Sequence, residues 1–260
     1  MRADSYLFER GYTASRQSAK NLISSGAVLL DGKLISKPSA SVDESVEHAV
    51  EITGEICPYV SRGGMKLKGA IEAFQINVAG KSALDIGAST GGFTDCLLQH
   101  GAAHVWAVDS GSSQLHPSLR EDARVTVMEN TNARYLTAES FPIRFDRITL
   151  DVSFISQTLI LPAVAALLAD NGQYIALIKP QFEVGRENVG KNGIVKGEKL
   201  YRLAIRRVVT AAADLGLVCT NLAWSPIQGG DGNTEFLALF EKSGIPYSVD
   251  RFFCEVKNHE

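Results

Sequence analysis

The sequence has few cysteines, and none of them forms a metal-binding or disulfide motif. Its 260 residues include only Cys57, Cys96, Cys219 and Cys254. No two of them form a Cys-x-x-Cys pair, and none has a histidine at the spacing that zinc modules use. Small secreted domains depend on a denser set of cysteines. We therefore expect no metal site, no disulfide framework and a reduced protein of the cytoplasm.

A long apolar segment is also missing. The longest apolar run, residues 158–169, is interrupted by Pro162 and is shorter than the about 20 residues that cross a bilayer. The N-terminal segment MRADSYLFERG is charged throughout and lacks the apolar centre of a secretory signal. These patterns predict no stable association with membranes.

Neither sign of charge dominates the chain. It carries 29 acidic and 26 basic side chains, a net charge of −3, and 45% of its residues are hydrophobic. Such values are typical of a folded globular protein and give no overall attraction for nucleic acid. The charge is unevenly spread, because residues 1–42 hold six bases and three acids whereas residues 43–55 hold five acids and no base. Any RNA binding is therefore expected from local basic patches.

The first 60 residues have the pattern of a small α+β module. A first helix ends at Gly11, and Ser15 is placed to cap a second helix that stops at Gly26. The dipeptide Asp31-Gly32 then separates two apolar runs. This predicts a two-residue hairpin, because both residues tolerate the positive φ that such a turn needs.

Strands and helices alternate from about residue 81 onward. The strand-like segments are 81–86, 105–108, 125–128, 145–150, 174–178, 218–224 and 236–240, and the helical ones are 92–100, 156–169 and 197–215. Alternation of this kind predicts an α/β fold with a mostly parallel, Rossmann-like sheet covered on both faces. The last two strands have no helix between them, so we expect the last strand to be antiparallel.

A glycine-rich turn follows the first of these strands, in SALDIGASTGGF. Asp85 ends the strand, Gly87 permits a sharp turn and Gly91 precedes a helix. The turn is not a Walker loop, because no Gly-Lys-Ser/Thr follows. It also departs from the dinucleotide-binding pattern, since Ser89 stands where that pattern has its second glycine.

The next strand closes on an acid, Asp109, 24 residues after Asp85. In doubly wound folds a carboxylate at this place accepts hydrogen bonds from both hydroxyls of a ribose. The turn and the acid together favour a nucleoside-type cofactor without a pyrophosphate, and S-adenosylmethionine is such a ligand. The alternative is a plain connection between strand and helix, with Asp109 as a solvated strand end.

Polar residues stand at the ends of three apolar strands. Asp151 follows FDRITL, Lys179 follows YIALI and Glu235 precedes FLALF. Ligands of open α/β sheets bind beyond the carboxyl ends of the strands, and an antiparallel last strand brings Glu235 to that edge. Lys66, in SRGGMKL, is placed to join them. Lysines beside carboxylates can transfer protons, although the pKa of a lysine is normally ~10.4. Taken singly, each of these residues is more often a helix cap or a member of a surface ion pair.

These residues match a known family. The sheet domain resembles the Rossmann-like S-adenosylmethionine-dependent ribose 2′-O-methyltransferases of the FtsJ type, which carry a Lys-Asp-Lys-Glu tetrad in the chain order of Lys66, Asp151, Lys179 and Glu235. The first 60 residues resemble the RNA-binding domain named after ribosomal protein S-four, at Arg2–Asp4, Ser15-Arg16, Gly26, Asp31-Gly32 and Lys37-Pro38. Together they resemble the TlyA family, whose members are known as haemolysins and as ribosomal RNA methyltransferases acting on cytidines. The resemblance implies three segments: an RNA-binding domain at 1–60, a methyltransferase domain at 61–243 and a tail at 244–260.

The resemblance also implies roles for individual residues. Lys179 would be the base that activates the ribose 2′-hydroxyl of ribosomal RNA, free or in a ribosomal subunit, helped by the other three members of the tetrad. Asp109 would hold the ribose of S-adenosylmethionine and Asn132 would lie near its adenine. The residues expected to line the rest of the cofactor are Asp85, Gly87, Ser89, Gly91, Gly92 and Phe93. The basic N-terminal module and the stretch after it suggest RNA contacts by Arg2, Arg16, Lys20, Lys33 and Arg62.

Two readings from other classes stay open at this point. The basic amphipathic segment 197–215 could lie on a membrane, which would make the chain a haemolysin-like, membrane-active protein. The chain could also be an RNA-binding protein with a degenerate methyltransferase core, although the intact tetrad argues against this. Methylation of a base nitrogen is disfavoured, because DVSF stands where such enzymes carry an Asn/Asp-Pro-Pro-aromatic motif.

The glycine-rich loop 181–196 is expected to be a lid that orders on RNA.

Overall fold

The computed structural model describes residues 1–13, 15–24, 26–53, 57–229 and 232–256. The chain divides into two compact units, Met1–Ser61 and Arg62–Glu260. This division falls beside the boundary that the sequence predicts after residue 60. Each unit is described by itself below.

The first unit packs two helices against a small antiparallel sheet. Its elements are α1 (Ala3–Glu9), α2 (Arg16–Ser24), β1 (Val28–Leu30), β2 (Lys33–Leu34) and β3 (Val50–Ile52), with strand order β2-β1-β3. Tyr6, Leu7, Ile23 and Val28 are fully buried between the layers. The predicted hairpin forms between β1 and β2, and Asp31 adopts the positive φ, 51°, that the turn requires.

Protonation of His48 is expected to stabilise this unit. His48 Nδ1 lies 2.6 Å from Asp31 Oδ2 and His48 Nε2 lies 3.0 Å from the carbonyl oxygen of Asp43. The hydrogen bond to Asp31 raises the pKa of His48 and lowers the pKa of Asp31. Because the folded state holds the His48 proton more tightly than the unfolded state, the contribution is complete below about pH 6.5. It is lost as pH rises through the raised pKa.

Hydrogen exchange measures this effect in the full chain. Amides of β1–β3 should be better protected at about pH 6 than at about pH 8.5, after correction for the intrinsic exchange rate. The variant His48→Asn should remove the difference, whereas His116→Asn in the second unit should leave it in place. Equal protection of the wild type at both pH values would contradict the assignment.

The second unit is built on a seven-stranded sheet. Its strands are β4 (Ser82–Ile86), β5 (His104–Val108), β6 (Val125–Met128), β7 (Phe145–Leu150), β8 (Leu168–Ile178), β9 (Val218–Trp224) and β10 (Phe236–Glu241). The strand order is β6-β5-β4-β7-β8-β10-β9. The first five in this order pair in parallel, and β10 is antiparallel to both of its neighbours. The expected mixed, Rossmann-like sheet with an antiparallel last strand is confirmed.

Seven helices accompany this sheet in the described part of the chain. They are α3 (Gly63–Phe74), α4 (Gly92–Gln99), α5 (Pro117–Arg120), α6 (Leu161–Leu167), α7 (Pro180–Glu183), α8 (Glu198–Ala213) and α9 (Val249–Val256). The core between sheet and helices is large and apolar and includes the fully buried Leu84, Ile148, Tyr174 and Phe236. None of the helices in the described residues is long and apolar enough to cross a membrane.

The helix expected at 156–169 is shorter than its apolar pattern predicts. A 3₁₀ turn at Gln157–Leu159 precedes α6, whose second residue is Pro162. Proline fits the first turn of a helix, where its missing N–H has no partner to lose. The strand expected from Tyr174 begins earlier, at Leu168, because Leu168 pairs with Phe145 before an irregularity that includes Gly172. Local periodicity does not distinguish the end of such a helix from the start of a buried strand.

The segment after residue 243 contributes to the core. Phe252 and Phe253 of α9 are buried beside Trp224 and Phe236, with ring centroids 4.8–6.2 Å apart. Asp250 of α9 also forms ion pairs with the two α8 bases Arg202 and Arg206, at 2.6 and 2.5 Å. The basic face of α8, on which the membrane-active interpretation depends, is therefore partly neutralised by α9.

Candidate active site at the carboxyl edge of the sheet

A cavity of about 470 Å³ opens beyond the carboxyl ends of β4, β5 and β7. This is the edge at which doubly wound sheets bind their ligands, and the volume suits a nucleoside-sized molecule. Of the eight predicted cofactor residues, four line the cavity: Gly87, Ser89, Asp109 and Asn132. The predicted tetrad member Asp151 lines it as well.

Gly87 is required by a close approach between two strand ends. It has φ of 85°, and a Cβ placed on it would lie 2.5 Å from the carbonyl oxygen of Asp151. The Asp151 N–H donates to the carbonyl of Ile86 at 3.0 Å, which holds the two strand ends together. The missing side chain therefore lets the glycine turn pack directly on the backbone of Asp151.

Asp109 joins the glycine turn to the end of β5. Its two carboxylate oxygens accept from the N–H groups of Ser89, at 2.8 Å, and Gly111, at 2.7 Å. Each oxygen of an ionised carboxylate can accept a further hydrogen bond, so the group can also receive two ribose hydroxyls. Asn132 lies on the cavity wall, and its side-chain oxygen accepts from the N–H of Arg134 at 3.1 Å. These positions fit the nucleoside half of S-adenosylmethionine.

Asp85 lies beneath the turn and does not line the cavity. It is fully buried and accepts from the hydroxyls of Thr94, at 2.6 Å, and Thr149, at 2.9 Å. Burial raises the pKa of Asp85 to about 6, against the effect of these hydrogen bonds. The carboxyl thus connects the start of α4 to β7. Three more of the predicted cofactor residues do not line the cavity and are buried: Gly91, Gly92 and Phe93.

The burial of Asp85 should appear in the pH dependence of stability. Its pKa is about 6 in the folded chain and about 3.8 in the unfolded one, so the wild type loses up to about 3 kcal/mol as pH rises between these values. The variant Asp85→Asn has no such ionisation. Relative to the wild type, it should therefore gain stability between about pH 4 and pH 7 in denaturant unfolding. A difference that does not change with pH would contradict the assignment.

The four tetrad residues form two ion pairs, in which three members are buried and Asp151 has a side chain that is 19% exposed. Lys66 Nζ lies 2.6 Å from Glu235 Oε2, and Lys179 Nζ lies 2.6 Å from Asp151 Oδ1. Lys179 also donates to the hydroxyl of Ser153 at 2.9 Å. Lys66, Lys179 and Glu235 are each at most 9% exposed. Buried charges of this kind persist only when they are paired, as these are.

The sheet topology explains how these residues meet. Asp151 directly follows β7, and Lys179 directly follows the neighbouring strand β8. The last pair between β10 and β8 is Phe236 with Ile178, so Glu235 stands opposite Lys179 at the same edge. Lys66 comes from α3, which packs against β10. The expected convergence of strand ends thus depends on β10 running antiparallel.

Two side chains near this edge carry no sequence signal that distinguishes them. Phe154 is 93% exposed, has φ of 66° and contacts the ring of Phe182 at 5.5 Å between centroids. Gln114 lines the cavity and accepts from the Ser89 hydroxyl at 3.2 Å. Glu129 holds the Gln114 backbone in place by accepting its N–H at 3.0 Å. Both residues follow strands in irregular segments, where only the folded backbone shows which way a side chain is directed.

The loop expected to be a lid is anchored in the structure. It contains the last three residues of α7 and two 3₁₀ turns, at Arg186–Asn188 and Lys191–Gly193. The buried side chain of Asn233 accepts from the Val195 N–H at 2.9 Å and donates to the Gly193 carbonyl at 3.0 Å. Movement of the loop on RNA stays a prediction.

The predicted RNA-binding residues of the first unit include an organised pair of arginines. Arg2 and Arg16 are about half exposed, and both contact the buried carboxylate of Asp4, at 3.0 and 3.3 Å. The Arg2 guanidinium lowers the pKa of Asp4 to about 2. Lys20 lies on α2 and Lys33 on the exposed hairpin, whereas Arg62 precedes α3 in the second unit. A fixed guanidinium with a free edge is suited to phosphate.

Comparisons with known proteins identify the family of this chain. The sequence profile of the FtsJ-like methyltransferases matches residues 59–242, and that of the S4 domain matches residues 1–48. The chain is 45% identical over 235 residues to the 16S/23S rRNA (cytidine-2'-O)-methyltransferase TlyA of Mycobacterium tuberculosis, which covers 90% of this chain and 87% of the relative. It is 41% identical over 241 residues to Hemolysin A of Brachyspira hyodysenteriae, covering 92% and 99% of the two chains.

A solved structure shows the same architecture. A hemolysin-type protein from Streptococcus thermophilus matches with a TM-score of 0.76 and 41% identity, covering 100% of this chain and 98% of that chain. The profile match over more than half of the chain and the high identity to the relatives show the family. The chain carries an S4 domain and belongs to the FtsJ-like methyltransferases of the TlyA type, a family of enzymes that use S-adenosylmethionine.

Proposed function

We propose that this enzyme methylates the ribose 2′-hydroxyl of a cytidine in ribosomal RNA, with Lys179 as the base. The observation that carries the proposal is the buried Lys179–Asp151 pair at the edge of the cavity, since Asp151 itself lines that cavity. A lysine that is 9% exposed beside a cofactor-sized cavity is suited to proton transfer to a substrate hydroxyl. The cytidine follows from the name of the Mycobacterium tuberculosis relative.

The chemistry divides into methyl donation and proton removal. The bound cofactor supplies a methyl group on a positively charged sulfur, which is electrophilic without further activation. Lys179, in its amine form, would accept the proton of the 2′-hydroxyl while the ribose oxygen forms its bond to the methyl carbon, and the cofactor would leave as a neutral thioether when its sulfur–methyl bond breaks. Asp151 and Ser153 hold Lys179 Nζ in place, and the Lys66–Glu235 pair lies at the same edge of the sheet. The main contributions of the protein to catalysis are therefore positioning of the substrate and removal of the proton.

Transfer of a labelled methyl group tests the proposal. Purified protein is incubated with labelled S-adenosylmethionine and either naked ribosomal RNA or ribosomal subunits from a strain lacking this protein. We expect label in RNA and one new site resistant to alkaline cleavage, because 2′-O-methylation removes the hydroxyl that attacks the phosphate. Label that is released with the base, or no label on any RNA preparation, would overturn the proposal.

The membrane-active alternative receives no support from the α8 surface. Arg202 and Arg206 are engaged by Asp250, and Arg207 donates to the carbonyl of Glu183 at 2.8 Å. A helix that binds membranes presents its basic side chains to lipid headgroups. Leakage of vesicles containing anionic lipid, produced by the pure wild-type protein, would restore this alternative.

A further inference from the structure

Glu183 is a buried acid to which the proposed chemistry assigns no role. It is 2% exposed and lies in α7, four residues after Lys179. Its carboxylate accepts from the Ser156 hydroxyl at 2.6 Å and from the Gln157 N–H at 2.9 Å. Its backbone carbonyl accepts from Arg207 of α8. Burying a carboxylate to this degree costs free energy, which its hydrogen bonds offset only in part.

The contacts of Glu183 are the last of three contacts that join two loops. One loop, residues 151–157, follows β7, and the other, residues 179–183, follows β8. The first contact is between Lys179 and the pair Asp151 and Ser153, and the second is between the rings of Phe182 and Phe154. The third is the pair of hydrogen bonds that Glu183 accepts. All three contacts join the same two segments in the same order along them.

We propose that Glu183 is a positioning residue that sets the place of Lys179 and of the 151–157 loop for methyl transfer. This inference rests on the proposed function of Lys179. The hydrogen bonds to Ser156 and Gln157 fix α7, and the short α7 directly follows Lys179, so a shift of α7 moves the Lys179 backbone. Residues 151–155 of this loop line the cavity, but Asp109 and Asn132 belong to other segments, so we expect cofactor affinity to change much less than kcat.

The test compares kcat with cofactor binding in full-length variants. Glu183→Ala removes both hydrogen bonds and should lower kcat roughly 100-fold, the size expected for a misplacement of about 1 Å. Glu183→Gln keeps one acceptor oxygen and should lose roughly 10-fold, which is a partial rescue. The KM and the dissociation constant for S-adenosylmethionine should stay within about twofold of the wild type in both. Glu187→Ala removes an exposed acid four residues after Glu183 and serves as the matched control.

The outcomes separate this inference from the proposed function. If the wild type transfers no methyl group, the proposed function fails. If the wild type is active and Glu183→Ala retains kcat within about threefold, the positioning role is wrong. An equal loss of kcat and cofactor affinity would also overturn it, because that pattern indicates general damage to the site. Should the alanine variant fail to fold, Glu183→Gln and Ser156→Ala carry the test, and a normal kcat in both would overturn the inference.

Discussion

Replacement of Lys179 by methionine is expected to lower the rate of methyl transfer by about three orders of magnitude while S-adenosylmethionine still binds. Methionine has a similar length but cannot accept the proton of the 2′-hydroxyl. Lys179 is not among the residues that line the cavity, so its replacement should leave Asp109 and Asn132 in place. Single-turnover transfer to RNA measures the chemical step, and calorimetry measures cofactor affinity.

A matched lysine on the same unit controls for the loss of charge. Lys68 of α3 is 40% exposed and lies 3.5 Å from Glu72, so Lys68→Met removes an exposed ion pair that contributes little. This variant should keep the wild-type rate. If Lys179→Met transferred methyl groups at a normal rate, Lys179 would be excluded as the base. If it lost its cofactor affinity in proportion to its rate, the lysine would act in binding.

Asparagine in place of Asp109 is expected to weaken S-adenosylmethionine binding about 100-fold. Both oxygens of Asp109 accept from backbone N–H groups, so the NH₂ of an asparagine would face one of these donors. The turn at Ser89 or the loop at Gly111 then has to move. The side chain also has one fewer oxygen to accept hydrogen bonds from the ribose hydroxyls. Two charge-assisted hydrogen bonds lost or weakened account for a change of about 3 kcal/mol.

Calorimetric titration of the cofactor tests this prediction. Asp170→Asn makes the same chemical change at a side chain that is 97% exposed and pairs with Lys242, and it should bind the cofactor normally. The thermal midpoints of both variants show whether the fold is retained. Unchanged affinity in Asp109→Asn would mean that Asp109 only ties the glycine turn to β5.

Much of this architecture could be predicted from local patterns. The turn at Asp31-Gly32 follows from the few residue types that tolerate its backbone angles. The strand that ends at Ile86 and the glycine turn after it can be recognised because an apolar run is followed directly by closely spaced glycines. The antiparallel β10 follows from the absence of a helix between two strands, and with it the placement of Glu235 beside Lys179.

Other features depended on packing that no local pattern contains. Asp85 has the position of a cofactor residue in sequence, yet it faces inward to Thr94 and Thr149. The segment from 244 onward is too short for its hydrophobic pattern to show where it packs. Only the structure shows that Phe252 and Phe253 pack against Trp224. Glu183 looks like an ordinary loop acid until its burial is known.

The sequence by itself determined the order of strands and helices, the glycine turn and the residue types at the strand ends. These depend on periodicity, turn chemistry and apolar runs, all of which act between near neighbours. Only the tertiary structure decided that Lys66 pairs with Glu235, 169 residues away, and that Lys179 pairs with Asp151. The reason is physical: buried charges must find partners across the sheet edge, and strand order, not chain order, decides which partners are within reach.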